Sequence, residues 1–310
     1  MLEAQLASQL ALAGLALRET WRTDKPRFDD RIVRTLLRLG LPLVPSFYFL
    51  LVLQQGNQFM LKELRGLGEL GVYVVGYNLG LVMSLIVAGF TTAWTPFFLS
   101  FSRDPAAGFE RLSRAMTYYV IAVGALTLLF FAWSRPLVQL LASNPYQGAH
   151  IVVGYSAAAY FLVGVFSLLL PPLYYARHVW AVTLIQGFGA VATVCLQFIL
   201  ISEFGVLGAG IGLAGGFLIV CVALFAWTRI QHATYVRIPY DWPRILAFGG
   251  VIALGALALS NSASTSLTVA LGWSLAATAA ILAVAWLALR PEERRTLTSS
   301  VRHAIVEQRA

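Results

Sequence analysis

The chain has 310 residues, 59% of them hydrophobic and only 12% charged, with a mean hydropathy of +0.75. That composition excludes an ordinary soluble globular domain and identifies an integral membrane protein. The net charge of +8 and pI near 9.8 do not point to nucleic acid, because the basic residues fall in short segments between apolar runs rather than on an aromatic-studded basic face. Cys195 and Cys221 each lie in an apolar run, where cysteine reads as a small buried hydrophobe rather than a disulfide or metal ligand.

The first element, Ala4 to Leu17, is apolar but too short to cross a bilayer alone. Glu3 precedes it and basic residues follow it, the reverse of a signal peptide's flanks, so it reads as the tail of a longer helix. A basic stretch, Arg18 to Arg38, comes next and contains FDDRIVRTLLRLG. Ile32, Val33, Leu36, Leu37 and Leu39 share one side of a helix there and arginines fill much of the other. That pattern predicts an amphipathic helix lying along membrane headgroups, capped by Asp29 or Asp30. A lone Asp-Asp pair with an immediate capping role predicts no metal site.

Eight apolar runs of spanning length follow, at roughly 41–61, 72–99, 115–133, 150–172, 180–201, 206–228, 245–261 and 267–289. The predicted fold is therefore all-α and polytopic, with about eight transmembrane helices. Nineteen of the 22 basic residues fall in one set of alternate connections, and only Lys62, Arg65 and Arg135 fall in the other. By the positive-inside rule the first set and the C-terminal tail are cytoplasmic, in an inner (cytoplasmic) membrane, and the loops at 62–70, 134–148, 202–205 and 262–266 face out.

The first span carries QQGNQ in its middle. On a helix Gln54, Gln55, Asn57 and Gln58 occupy an arc of about 160°, with Gly56 opposite. Amides belong at a protein interior or a water-filled cavity rather than in lipid, so these four are candidates for lining a path, with Tyr77 and Asn78 of the second span as weaker ones. Tyr73 is a third weak candidate, which an interfacial aromatic belt explains at least as well, and isolated Gln186 and Gln197 read as helix glue. Small-xxx-small spacing at Gly76 and Gly80, and at Gly208, Gly212 and Gly216, predicts close helix packing. The GxGxxG string over residues 210–215 lies inside an apolar span with no preceding strand, so it is not a dinucleotide fingerprint. Prolines cluster at the cytoplasmic ends of three spans, as Pro42 with Pro45, Pro96, and Pro171 with Pro172. They mark bends or candidate hinges. His150, His178, His232 and His303 have no partner at ligand or catalytic spacing, so neither enzyme chemistry nor a metal or cofactor is expected.

RIVRTLLRLGLPLVPSFYFLLVL (Arg31 to Leu53) and GLGELGVYVVGYNLGLVMSLIVAGFTTAWTPFF (Gly66 to Phe98) resemble the start of the second half of a polysaccharide or lipid-linked oligosaccharide flippase of the multidrug/oligosaccharidyl-lipid/polysaccharide superfamily. NPYQGAHIVVGYSAAAYFL (Asn144 to Leu162), PPLYYARHVWAVT (Pro171 to Thr183) and EFGVLGAGIGLAGGFL (Glu203 to Leu218) resemble that family's later helices in the same order. The resemblance covers about residues 18–230 and implies a lobe of a transporter in which two six-helix lobes enclose a polar cavity. Its usual substrates are undecaprenyl-pyrophosphate-linked sugars. It divides the chain into a helix remnant with a basic amphipathic segment (1–38), a six-helix C-terminal lobe (39–229), and two further spans with a basic tail (230–310). Family members often carry an Asp-Arg pair where this chain has Asn57 and Gln58, which implies a neutral or differently charged glycan.

The implied function is translocation of lipid-linked oligosaccharide for cell-surface polysaccharide synthesis, as a half or truncated transporter. Its partners would be the lipid-linked substrate, membrane lipids, and either a separately encoded N-terminal lobe or a second copy of itself, with no nucleic acid. The alternatives are a non-transporting fragment or scaffold for glycan assembly, and a cation-coupled drug exporter. The exporter reading is weakened because Glu63, Glu69 and Glu203 lie at helix ends or in outer loops. The charge asymmetry predicts that a reporter fused after Ala310 is cytoplasmic and that one inserted near Gly68 or Gln147 is external; an external C-terminus would overturn the span count.

Overall fold

The computed structural model describes residues 11–16, 18, 29–40, 44–231, 235–260 and 267–288. Pro42, His232, His303, the 262–266 loop and the basic tail lie outside them. The chain divides into two compact units, Met1–Val44 and Pro45–Ala310. Within the first, helix α1 (Asp30–Gly40) is the expected amphipathic segment. Asp29 is its cap, accepting from the Arg31 amide at 2.9 Å, and Asp30 pairs with Arg34 one turn on at 2.8 Å.

The second unit holds α2 (Val44–Arg65), α3 (Leu67–Leu99), α4 (Phe109–Leu141), α5 (His150–Leu169), the short α6 (Pro171–Tyr175), α7 (Val179–Ile230), α8 (Trp242–Ser260) and α9 (Leu267–Ala288). Short 3₁₀ turns, Pro105–Gly108 and Asn144–Ala149, lead into α4 and α5. All the regular structure among the described residues is helical. Six stretches are long and apolar enough to cross a membrane: 67–99, 105–141, 144–175, 180–230, 242–260 and 268–285. The expected eight rods reappear once α7 is counted as two arms and α2 is added. QQGNQ and the terminal Lys62, Glu63 and Arg65 lower the hydropathy of α2.

Helix α5 is the centre of the unit, packed by α3, α4 and α7, while α8 and α9 attach to α4. Two close approaches explain the glycines. A Cβ on Gly80 would lie 2.6 Å from the Val153 carbonyl of α5, closer than a real side chain comes, and Gly76 meets the Ala149 carbonyl in the same way. In α7, Gly205 has φ 53° and ψ −125°, a left-handed conformation that glycine adopts without strain. It folds the helix into an antiparallel hairpin of arms 179–204 and 206–230. Gly208, Gly212 and Gly216 of the second arm face Leu200, Gln197 and Thr193 of the first, and a Cβ on Gly212 would come 2.8 Å from Gln197 Cγ. The GxGxxG string is thus part of a helix–helix seam. At the turn, Arg65 Nε and Nη2 donate to the Ile201 and Ser202 carbonyls at 3.1 and 2.5 Å, satisfying acceptors left open at the end of the first arm.

Proline placement follows one rule. A proline has no N–H for the carbonyl four residues earlier, and in hydrocarbon that acceptor needs another donor. Pro171 and Pro172 release the carbonyls of Ser167 and Leu168, which accept from Trp94 Nε1 at 3.0 Å and from the Tyr240 hydroxyl at 2.8 Å. Pro136, inside α4, releases Ala132, whose carbonyl lies 2.6 Å from Ser274 Oγ of α9 and shares that hydroxyl's single hydrogen with the Ala270 carbonyl at 2.8 Å. Pro45 sits in the first turn of α2, where its missing N–H has no intrahelical acceptor to serve, while Pro96 lies inside the last turn of α3. The Pro171-Pro172 bend is therefore held by donors from two other segments. Cys221 is buried as expected, but Cys195 is exposed on the outward side of the first arm of α7.

If Ser274 supplies what Pro136 removes, Ser274→Ala should lower stability by about 1 kcal/mol. The same change should cost less in a Pro136→Ala background, where the backbone regains its own donor. Thermal unfolding of the four proteins in one detergent measures this cycle; equal costs in both backgrounds would refute the coupling.

Candidate functional site

Helix α2 presents two unlike faces, and the amides of QQGNQ are divided between them. One face carries Leu53, Asn57 and Leu61, all buried. The other carries Phe47, Tyr48, Leu51 and Phe59, exposed by 55–72%. Asn57 belongs wholly to the interior, where its amide donates to the hydroxyl of Tyr73. Gln55 and Gln58 are half-buried beside the open face, and Gln58 Nε2 donates to Gln55 Oε1 at 2.7 Å. Gln54 is also half-buried. Gly56 does not face outward, as the helical wheel implied: a Cβ there would lie 3.8 Å from Gln197 Oε1 and 3.6 Å from a methyl of Val52. A wheel gives relative angles, and the neighbours α3 and α7 set which angle is inside.

Behind Asn57 lies a buried polar seam. The ring of Tyr73 stacks on Tyr77 with centroids 5.9 Å apart, and the Tyr77 hydroxyl shares a hydrogen bond of 2.7 Å with Tyr160 of α5. Tyr73 is completely buried, which overturns the belt explanation; a belt tyrosine keeps its hydroxyl in the headgroups, whereas this one spends it on Asn57. Tyr77 is 5% exposed and belongs to the same core. Asn78 faces outward with Val82 and Leu85.

Gln197 is the residue that the sequence reading undervalued. Its side chain is fully buried between Gly56 and Gly212, and neither amide atom has a hydrogen-bond partner within the protein. Asn57 Oδ1, Ser156 Oγ, Gln186 Oε1 and Thr193 Oγ1 are buried in the same condition. Buried polar atoms left in this state are costly, so the seam where α2, α3, α5 and the α7 hairpin meet is the polar heart of the lobe. The sequence did hold a signal for it: with the turn at Gly205, antiparallel pairing puts Gln197 opposite Gly212 and Thr193 opposite Gly216.

The helices α4, α8 and α9 border an open apolar groove lined by Ile121, Leu128, Phe248, Ile252, Gly255 and Ile281 among others. Its chemistry suits hydrocarbon and nothing polar.

The split between the faces of α2 gives a direct test. In a background with Cys195 and Cys221 replaced, cysteines at Gln55 and Gln58 should react with a small water-soluble thiol reagent, and cysteines at Gly56 and Asn57 should not. Protection at all four positions would leave the amides as helix glue alone.

Comparison with known proteins adds one finding. Residues 4–102, which include α1, α2 and α3, match the family model described as polysaccharide biosynthesis protein. No curated protein and no solved structure matches the chain. The segment that carries QQGNQ and both of its faces is therefore similar to polysaccharide biosynthesis proteins.

Proposed function

We propose that this chain forms one wall of a membrane path for lipid-linked oligosaccharide, in the cytoplasmic membrane, serving assembly of a cell-surface polysaccharide. The observation that carries the reading is the Gln55–Gln58 pair. Their single mutual bond uses one donor and one acceptor of two amides, so the remaining donors and acceptors need a polar neighbour that lipid does not supply. Phe59 beside them and Tyr48 two turns earlier are exposed, flat apolar rings of the kind that pack on the CH faces of sugars while amides bond the hydroxyls. Neutral amides in place of charges favour a glycan without a strong charge of its own at this point of contact. The match of residues 4–102 to polysaccharide biosynthesis proteins supports the substrate class.

A wall needs an opposing wall. Alternating access rocks one bundle against another about a site between them, so the open face of α2 is completed by an opposing lobe.

Complementation tests the reading. In a cell whose own flippase is deleted, this chain is expressed alone and then with a six-span N-terminal lobe, and surface glycan is measured. Gln55→Leu with Gln58→Leu should lower restored glycan about thirtyfold, as expected for losing two hydrogen bonds of about 1 kcal/mol each. The protein level should stay the same, because both residues lie outside the core. Undiminished glycan from the double variant would remove the amide pair from the path.

A further inference from the structure

We propose that α1 is an anionic-lipid sensor: a helix that docks on the bilayer surface when that surface carries acidic phospholipid headgroups and leaves it when the surface is neutral. The proposal rests on the membrane character of the chain and not on the transport reading.

Helix α1 has 11 residues, below the roughly 12 to 15 at which even favourable sequences hold a helix unaided in water. Its register puts positions 31, 34 and 38, all arginine, within an arc of about 60°. Positions 32, 33, 36, 37 and 39, all aliphatic, occupy the opposite side of the wheel. Leu37 is 58% exposed, so at least part of the apolar side is uncovered. The two acidic residues at its start are occupied locally: Asp29 caps the first turn, and Asp30 pairs with Arg34. Both members of that ion pair are 82% exposed. An exposed pair of this kind is weak and is readily exchanged for a phosphate.

The chemistry that fits such a surface is an apolar layer bordered by negative charge, which is the headgroup region of an acidic leaflet. Five aliphatic residues on so short a helix give it only a modest grip on a neutral bilayer. Each arginine near an anionic surface strengthens binding about fivefold, so three together contribute roughly 150-fold. That factor sets the switch. Only residues 41–43 separate α1 from the spanning helix α2, so docking is intramolecular and needs no gain in local concentration.

The test uses the full chain in lipid nanodiscs of phosphatidylcholine alone and of phosphatidylcholine with one third phosphatidylglycerol. Amide hydrogen exchange is read over residues 31–40, with the exchange of 67–99 as the control for folding. Protection of 31–40 should be on the order of a hundredfold greater in the acidic discs at low salt and should shrink as salt is raised. Arg31→Gln, Arg34→Gln and Arg38→Gln together should erase the difference, while lysine at the same three positions should keep most of it. Equal protection in the two disc types would overturn the proposal, as would an acidic-lipid response that survives the glutamine variant. If that variant loses protection over 67–99, the salt dependence of the unaltered chain decides: protection in acidic discs that does not move with salt refutes an electrostatic sensor.

Discussion

Hydrocarbon offers no hydrogen bonds, so a chain that crosses it must find a partner for each polar atom within itself or at a hydrated boundary. The way this protein meets that demand organises most of its architecture. Where proline removes a backbone donor, a side chain from another segment replaces it: Trp94 for Ser167, Tyr240 for Leu168, Ser274 for Ala132. These bonds reach from α3, from the connection before α8, and from α9. Each one fixes a second segment at the place where the first is bent. A proline that breaks a ladder thus becomes an attachment point, and the two helices beyond residue 230 are anchored in part through such points.

The same demand separates the amides of α2. Asn57 is answered by Tyr73, inside; Gln55 and Gln58 answer each other only in part, at the edge of an open face. One helix thereby serves a core on one side and an exposed face on the other. Gln197, wedged between two glycines, shows the opposite economy: the backbones come close, and the amide between them keeps its atoms unpaired within the protein.

Spans, glycine spacings and the amphipathic α1 were legible in the sequence because each depends on a period or a run that survives in one dimension. The fully buried state of Tyr73 was not, since a tyrosine near a helix start satisfies the belt rule as well as the core rule until its neighbour is known. Nor was the inward direction of Gly56. The wheel separates Gly56 from the amides correctly, but the placement of α7 against α2 decides that its side is interior. Pro136 was not legible because Ser134 and Arg135 make its surroundings read as an outer loop, whereas α4 runs on to Leu141, and its meaning depends on Ser274, far along the chain. The eight-rod count was legible, although α2, with QQGNQ and its charged end, is not among the six stretches apolar enough to cross a membrane.

The hairpin of α7 has a consequence for how this chain tolerates change in length. Most connections between spans absorb inserted or deleted residues, because a loop can bulge. The two arms of α7 meet at Gly205 with no loop between them. One residue gained or lost there would rotate one arm by about 100° about its axis. Gly208, Gly212 and Gly216 would then swing away from Leu200, Gln197 and Thr193, and larger side chains would be driven into the seam. Length at this turn is fixed as firmly as the identity of any buried side chain, and divergence among similar proteins should appear here as substitutions without gaps.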